Sequence, residues 1–147
     1  MSANIPTNAH IYIESGAKIG VGVTIGSRVR IGMGTEIGSD TIIGDGASIN
    51  RFNKIGTNNV IGEHVKTGIN VTTGHKVHIG EHSTIGHNVS LEWKVWAGQD
   101  VVLGQDSKIG EMVWIDHGVE LPDRTDVESS VVVTHRKVVQ VSPPKRD

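Results

Sequence analysis

The sequence predicts an all-β solenoid, a chain wound into short coils of parallel strands, and two observations carry that expectation. The first is a count of six that never slips. Starting at Ile13, the sixth positions Ile19, Ile25, Ile31, Ile37, Ile43, Ile49, Ile55 and Ile61 are aliphatic. Thr67 and Thr73 follow, and then Ile79, Ile85, Leu91, Ala97, Leu103, Ile109, Ile115, Leu121, Val127, Val133 and Val139 complete twenty-two steps. The second is a register two residues earlier, small or β-branched at Ala17, Val23, Val29, Thr35, Thr41 and Ala47, and again from Val65 to Val119. An antiparallel sandwich needs turns roughly every 8–12 residues and longer alternating strands, which a constant six excludes.

Each part of the hexad has a physical reading. Two inward residues spaced by two are strand periodicity. Glycine follows the aliphatic residue at 14 of the 16 hexads from Gly20 to Gly110, with Asn50 and Glu92 as exceptions. That glycine, or Asn50 and Asp116 in its place, is expected to supply the positive φ of a tight corner. Three hexads then close one coil, and residues 13–138 make seven coils, a prism about 34 Å tall at about 4.8 Å per stacked strand. The 147 residues read as a single domain, with coils over about 11–139 and a short tail over 140–147. Pro143 and Pro144 in that tail lack the donor a strand ladder needs.

Composition narrows the function classes. A net charge of −2, three per cent aromatic residues and no basic stripe argue against nucleic acid. The chain has no cysteine, which fits a disulfide-free, cytoplasmic setting. No apolar run approaches the length of about 18 residues that marks a membrane span, and no basic-then-apolar start marks a secretion signal.

The hexad resembles the hexapeptide repeat, [LIV]-G-x-x-[STAV]-x, of the left-handed parallel β-helix, over roughly residues 11–139. That resemblance implies a homotrimer. Outward columns, read every eighteen residues, offer it a face: Thr24, Ile42, Val60, His78, Trp96, Trp114 and Val132 form an apolar stripe. Stacked exterior apolar residues mark interfaces, and aromatic anchors suit their centres. The other two columns, from Lys18 to Asp126 and from Tyr12 through Val102 and Glu120 to Val138, are polar or mostly so.

Five of the eight histidines lie between His64 and His87. His78 falls inside the apolar stripe, His75 on the corner leading into it, and His64 and His82 one above the other on the trailing corner beside Glu63 and Glu81. Apolar surroundings disfavour a charged imidazole, which leaves a neutral ring able to accept a proton as a general base must. Thr67, Thr73, Ala97 and Glu92 break the repeat close by, and local departures from a consistent pattern tend to mark functional or strained sites.

A second resemblance concerns function. Val95-Trp96-Ala97-Gly98 and the segment from Val113-Trp114-Ile115 to Pro122 are similar to the V-W-I-G-x-G-V-x-I-L-P stretch of hexapeptide acetyltransferases. Ser130-Val131-Val132-Val133-Thr134 resembles the strand that follows it, and residues 138–145 resemble a closing V-V-x-G-x-P-A-K with its glycine and alanine lost. The resemblance implies acyl transfer from an acyl-coenzyme A, acetyl-coenzyme A foremost, to a hydroxyl or amine of a sugar or other small acceptor. It implies an interface histidine as base, for which His78, His75 and His82 are the candidates. A backbone amide near Gly98 would hold the oxyanion. Trp96, Trp114, Arg124 and Arg136 would neighbour the co-substrate, and no metal is expected.

Two alternatives stay open. Ile85-Gly86-His87-Asn88-Val89-Ser90-Leu91 resembles the I-G-H-x-A-x-L segment of γ-class carbonic anhydrases, which implies a zinc ligand at His87, although Glu92 stands where the next ligand is expected. The other alternative is a non-catalytic structural or assembly trimer, favoured by a register uninterrupted by any inserted loop.

Overall fold

Parallel pairing at a fixed offset of eighteen residues builds the molecule. The computed structural model describes residues 10–134 and the strand Val138–Gln140, and every strand from Tyr12–Ile13 to Asp126–Val127 is two residues long. Ile13 pairs with Ile31, Ile31 with Ile49, and Thr67 with Ile85. Seven strands form a first sheet, from Tyr12–Ile13 to Glu120–Leu121, and seven a second, from Lys18–Ile19 to Asp126–Val127. Eight form the third, from Thr24–Ile25 to Val131–Val133 with Val138–Gln140 at its edge. The expected all-β parallel solenoid of seven coils is what forms, with no helix among the described residues.

Within a hexad the first strand residue points out and the aliphatic one points in. Thr24 is exposed, whereas Val23 and Ile25 are fully buried. Burying such a side chain contributes roughly 1.5–3 kcal/mol, and the buried aliphatics form one cluster from Val23 to Val133. The ladder runs past the strand ends: His78 N–H donates to the Val95 carbonyl and Gly80 N–H to the Ala97 carbonyl, both at 2.9 Å.

The repeated glycine is there for space, which corrects the expectation that it provides positive φ. Positive φ falls two residues later, at Gly22 (76°) but also at Asp40 (60°), Asn58 (57°), His64 (58°) and Arg124 (60°). The glycine itself faces the next coil. A Cβ on Gly32 would stand 2.6 Å from the Arg51 backbone nitrogen, and one on Gly80 would stand 2.5 Å from the Gly98 carbonyl. Where Asn50 and Asp116 replace glycine, each turns a side-chain oxygen onto the next amide, accepting from Arg51 N–H and His117 N–H at 2.8 Å.

The parallel stack stops at Val133. Val138–Gln140 runs antiparallel to Val131–Val133 and sets Val139 against Val132. The step counted at Val139 is therefore not a twenty-second hexad, and Val138 does not stand over Glu120. The last glycine of the series, Gly110, faces Ser129 in the final coil, and Asp116, Pro122 and Glu128 hold the glycine position beyond it.

Thr67 and Thr73 depart from the aliphatic rule for a structural reason, not as a mark of chemistry. Both are buried against Asn53 and Asn59, which replace the small residues of the second register. Asn53 Nδ2 donates to Thr67 Oγ1 at 2.6 Å, and Asn59 Nδ2 donates to Thr73 Oγ1 at 2.7 Å. The two amide oxygens accept from the Val71 and Val77 N–H groups at 2.7 and 2.8 Å. One arrangement thus recurs at consecutive corners. Ser83 shows the simpler version: its hydroxyl donates to the Gly98 carbonyl and accepts from Val101 N–H, each at 3.0 Å.

Thr67→Val leaves the Asn53 Nδ2 donor without its acceptor in the interior and is expected to cost about 1–3 kcal/mol, read from thermal or denaturant unfolding. The double change Asn53→Val with Thr67→Ile restores the apolar repeat and is expected to recover most of that loss; a larger loss in the double variant would contradict the pairing. Gly80→Ala should destabilise more than Gly16→Ala. The added methyl at Gly16 has its nearest neighbour 3.5 Å away and suffers only the strain of its φ of 78°, about 1–2 kcal/mol. Equal losses in the two would refute the spacing account.

Candidate active-site groove

Exact register turns the outward column of the third sheet into a stack of rings. His78 pairs with Trp96 and Trp96 with Trp114. The His78 and Trp96 rings lie 5.6 Å apart at 12°, and the Trp96 and Trp114 rings 4.0 Å apart at 20°. Such aromatic pairs contribute about 0.5–1.5 kcal/mol beyond their burial. The column is still open to solvent, since Ile42 and Trp114 are each 48% exposed while Val60, His78, Trp96 and Val132 are half-buried.

A groove of about 360 Å³ runs beside this column, along the corner from the third sheet to the first. Ile42, Val60, His78 and Trp96 form its sheet wall, and Glu63, Glu81, Gln99 and His117 its corner wall. Between them lie Gly44, Gly62, Gly80 and Gly98, whose missing side chains leave the space.

Two histidines meet at Trp96, in different states of engagement. His78 Nδ1 is buried and has no hydrogen-bond partner, the only such side-chain atom among the described residues. A polar atom of that kind needs a physical explanation, and sites of chemistry are one. His117 packs edge-on against Trp96, 5.6 Å between centroids at 79°, and its Nδ1 accepts the Gln99 N–H at 2.9 Å. That bond puts the proton of a neutral His117 on Nε2, as a donor. His117 was not among the residues singled out from the sequence. The signal was present, because Glu63, Glu81, Gln99 and His117 follow one another every eighteen residues.

Of the residues singled out, the structure brings His78, Trp96 and Gly98 into the groove and stacks Trp114 against Trp96. The Gly98 N–H already donates to the Ile115 carbonyl at 2.9 Å, so it offers no free donor for an oxyanion. His75 stands on the other edge of the third sheet, where its Nδ1 is 2.8 Å from Thr57 Oγ1 and accepts the Thr57 N–H at 3.2 Å. His82 stacks on His64 at 5.1 Å and faces the first sheet with Lys66 and Thr84. Arg124 lies at the corner between the first and second sheets, across the prism from the groove. Arg136 lies outside the described residues. His87 Nδ1 accepts the Ile69 N–H at 2.9 Å, the same corner-capping role as His117. Among the described residues no three histidine, aspartate or glutamate side chains are grouped so as to hold a metal ion. No helix there is long and apolar enough to cross a membrane.

Residues 60–92 match the sequence model of the bacterial transferase hexapeptide (six repeats). No curated protein matches the chain. Among solved structures, UDP-N-acetylglucosamine O-acyltransferase from Moraxella catarrhalis superposes with a TM-score of 0.72 at 16% identity, covering 94% of this chain and 73% of that one. PerB from Caulobacter crescentus, solved with CoA and GDP-perosamine, gives a TM-score of 0.64 at 22% identity, covering 84% of this chain. The match spans about half of PerB, 53% of its length. UDP-N-acetylglucosamine acyltransferase from Campylobacter jejuni gives 0.51 at 19% identity, covering 83% and 68%. The chain is thus a parallel β-helix that carries the hexapeptide repeat and shares its fold with structures of acyltransferases.

Proposed function

We propose that this chain is an acyl-coenzyme A-dependent acyltransferase acting on a hydroxyl or amine of a sugar or similar small acceptor, with acetyl-coenzyme A as donor and His78 as general base. His78 carries the reading: a ring with an unpartnered buried nitrogen, set in an apolar groove and stacked on Trp96. The matched repeat and the fold shared with acyltransferases support it.

In this reading His78 takes the proton of the acceptor O–H or N–H as the acceptor's lone pair bonds to the thioester carbonyl carbon. The carbon–sulfur bond then breaks, and His78 returns the proton to the departing thiolate. An ester or amide and free coenzyme A thiol remain. Trp96 and Trp114 form an apolar wall for the acyl-coenzyme A. Arg124, across the prism from its own groove, would serve that co-substrate only from a neighbouring copy.

The half-exposed column of Ile42, Val60, His78, Trp96, Trp114 and Val132 is the proposed contact of a cytoplasmic homotrimer, which sets the groove between copies. A non-catalytic assembly role is the competing outcome.

His78→Gln is expected to lower kcat by about 10²–10⁴-fold with little change in KM for acetyl-coenzyme A, followed by release of free thiol with amino-sugar and hydroxyl acceptors. His75→Ala, which loses only a corner contact, should stay close to the parent. Full activity in His78→Gln would remove it as the base, and no binding of coenzyme A at millimolar concentration would remove the transferase reading. Trp114→Glu sets a charge at an exposed position of the column and is expected to reduce the mass in sedimentation to that of a monomer; an unchanged oligomer would refute the contact.

A further inference from the structure

The hexad places equivalent grooves along equivalent corners, so chemistry absent from one can be compared with chemistry present in another. The first sheet has a groove related to the third-sheet groove by one hexad step: strand residues form one wall and the two residues after the aliphatic position form the other. It lies over the first three coils and holds about 560 Å³. Tyr12, Arg30 and Ser48 are its sheet wall, and Met33, Asn50 and Arg51 its corner wall. Where the third-sheet groove has isoleucine, valine and glutamate, this one has two guanidinium groups.

Among the described residues its donors are unspent. Neither Arg30 nor Arg51 is held in an ion pair among the described residues, and Arg30 instead lies 5.4 Å from the Tyr12 ring centroid, a cation–π contact that orients it. Asn50 interrupts the glycine series at this place. Its Oδ1 accepts the Arg51 N–H at 2.8 Å, which leaves the amide's two N–H donors for the groove. The nearby carboxylate is Glu14, and one of its oxygens is occupied by the Met33 N–H at 2.9 Å. Ser48 adds a hydroxyl.

From this arrangement we infer that the first-sheet groove binds the phosphate group of a small molecule. Two guanidinium groups, an amide and a hydroxyl outnumber what a carboxylate's two oxygens accept well, and they match the three free oxygens of a phosphate ester. A cavity of this size takes a ligand of metabolite dimensions. The inference stands apart from acyl transfer: a chain with no transferase activity would still bind here.

The test is a nitrogen-15 NMR titration of the whole chain with inorganic phosphate and then pyrophosphate, against sodium chloride at matched ionic strength. The expected result is saturable shifts confined to residues 12–14, 30–33 and 48–51, with pyrophosphate binding more tightly. Arg30→Gln with Arg51→Gln should weaken binding about tenfold or more. Asn50→Gly restores the repeat's own glycine and keeps the coil intact; it should weaken binding by a smaller factor, about threefold. Equal shifts with chloride, shifts centred on the third-sheet corner, or unchanged affinity in the double arginine variant would each overturn the assignment.

Discussion

The close approach of one coil's backbone to the next governs this molecule. Amide and carbonyl groups must meet across every coil boundary, as Gly80 and Ala97 do at 2.9 Å, and at the glycine corners from Gly20 to Gly110 a Cβ would crowd the coil above. Two-residue strands have little ladder of their own, and an isolated hexad could not fold. Stability comes from stacking, where each added coil satisfies the open edge of the one before it and extends the same apolar core. Non-glycine residues near φ of 60° are tolerated in such numbers because the ladder on both sides fixes the corner.

The same constraint makes surface chemistry columnar. Whatever residue type recurs at an eighteen-residue interval becomes a vertical array, with no further design needed. The ring stack of His78, Trp96 and Trp114 is one result, and the corner wall of Glu63, Glu81, Gln99 and His117 is another. Corner caps are a third: Asp45, His87, His117 and Asp123 each accept the N–H of a residue eighteen earlier. Histidine on this frame is therefore often a capping acceptor. That makes His78, on a strand with Nδ1 unbonded, different in kind from His75, His87 and His117.

Fold and site differed in how legible they were in the sequence. The count of six gave the coil, the sheets and the outward columns, because a period of that regularity has one physical solution. The purpose of the glycine was not legible, since positive φ and close approach both ask for the same residue. The end of the stack was not legible, since Val139 keeps the count of six while its strand pairs antiparallel with Val131–Val133. Thr67 and Thr73 looked like disturbances near a site because their partners, Asn53 and Asn59, sit fourteen residues earlier on a different register. His117 belongs to a legible column, since Gln99 lies eighteen residues earlier, but its contact with Trp96, twenty-one residues away, joins a corner to a strand and does not follow the column spacing.

A frame this repetitive cannot itself specify where function lies, because every corner has nearly the same backbone. Specificity has to come from what breaks the equivalence. In the interior the breaks are paired and satisfied, so they carry stability and register. On the exterior two breaks stand beside grooves: a buried, unpartnered histidine nitrogen on the third sheet, and two guanidinium groups together on the first. Water readily hydrates exposed arginines, whereas the His78 Nδ1 is shielded from it and has no partner within the described chain, which makes the histidine the sharper break in the repeat. The groove beside its half-buried ring is floored by glycines the fold already required, so the opening comes at no added cost to the stack.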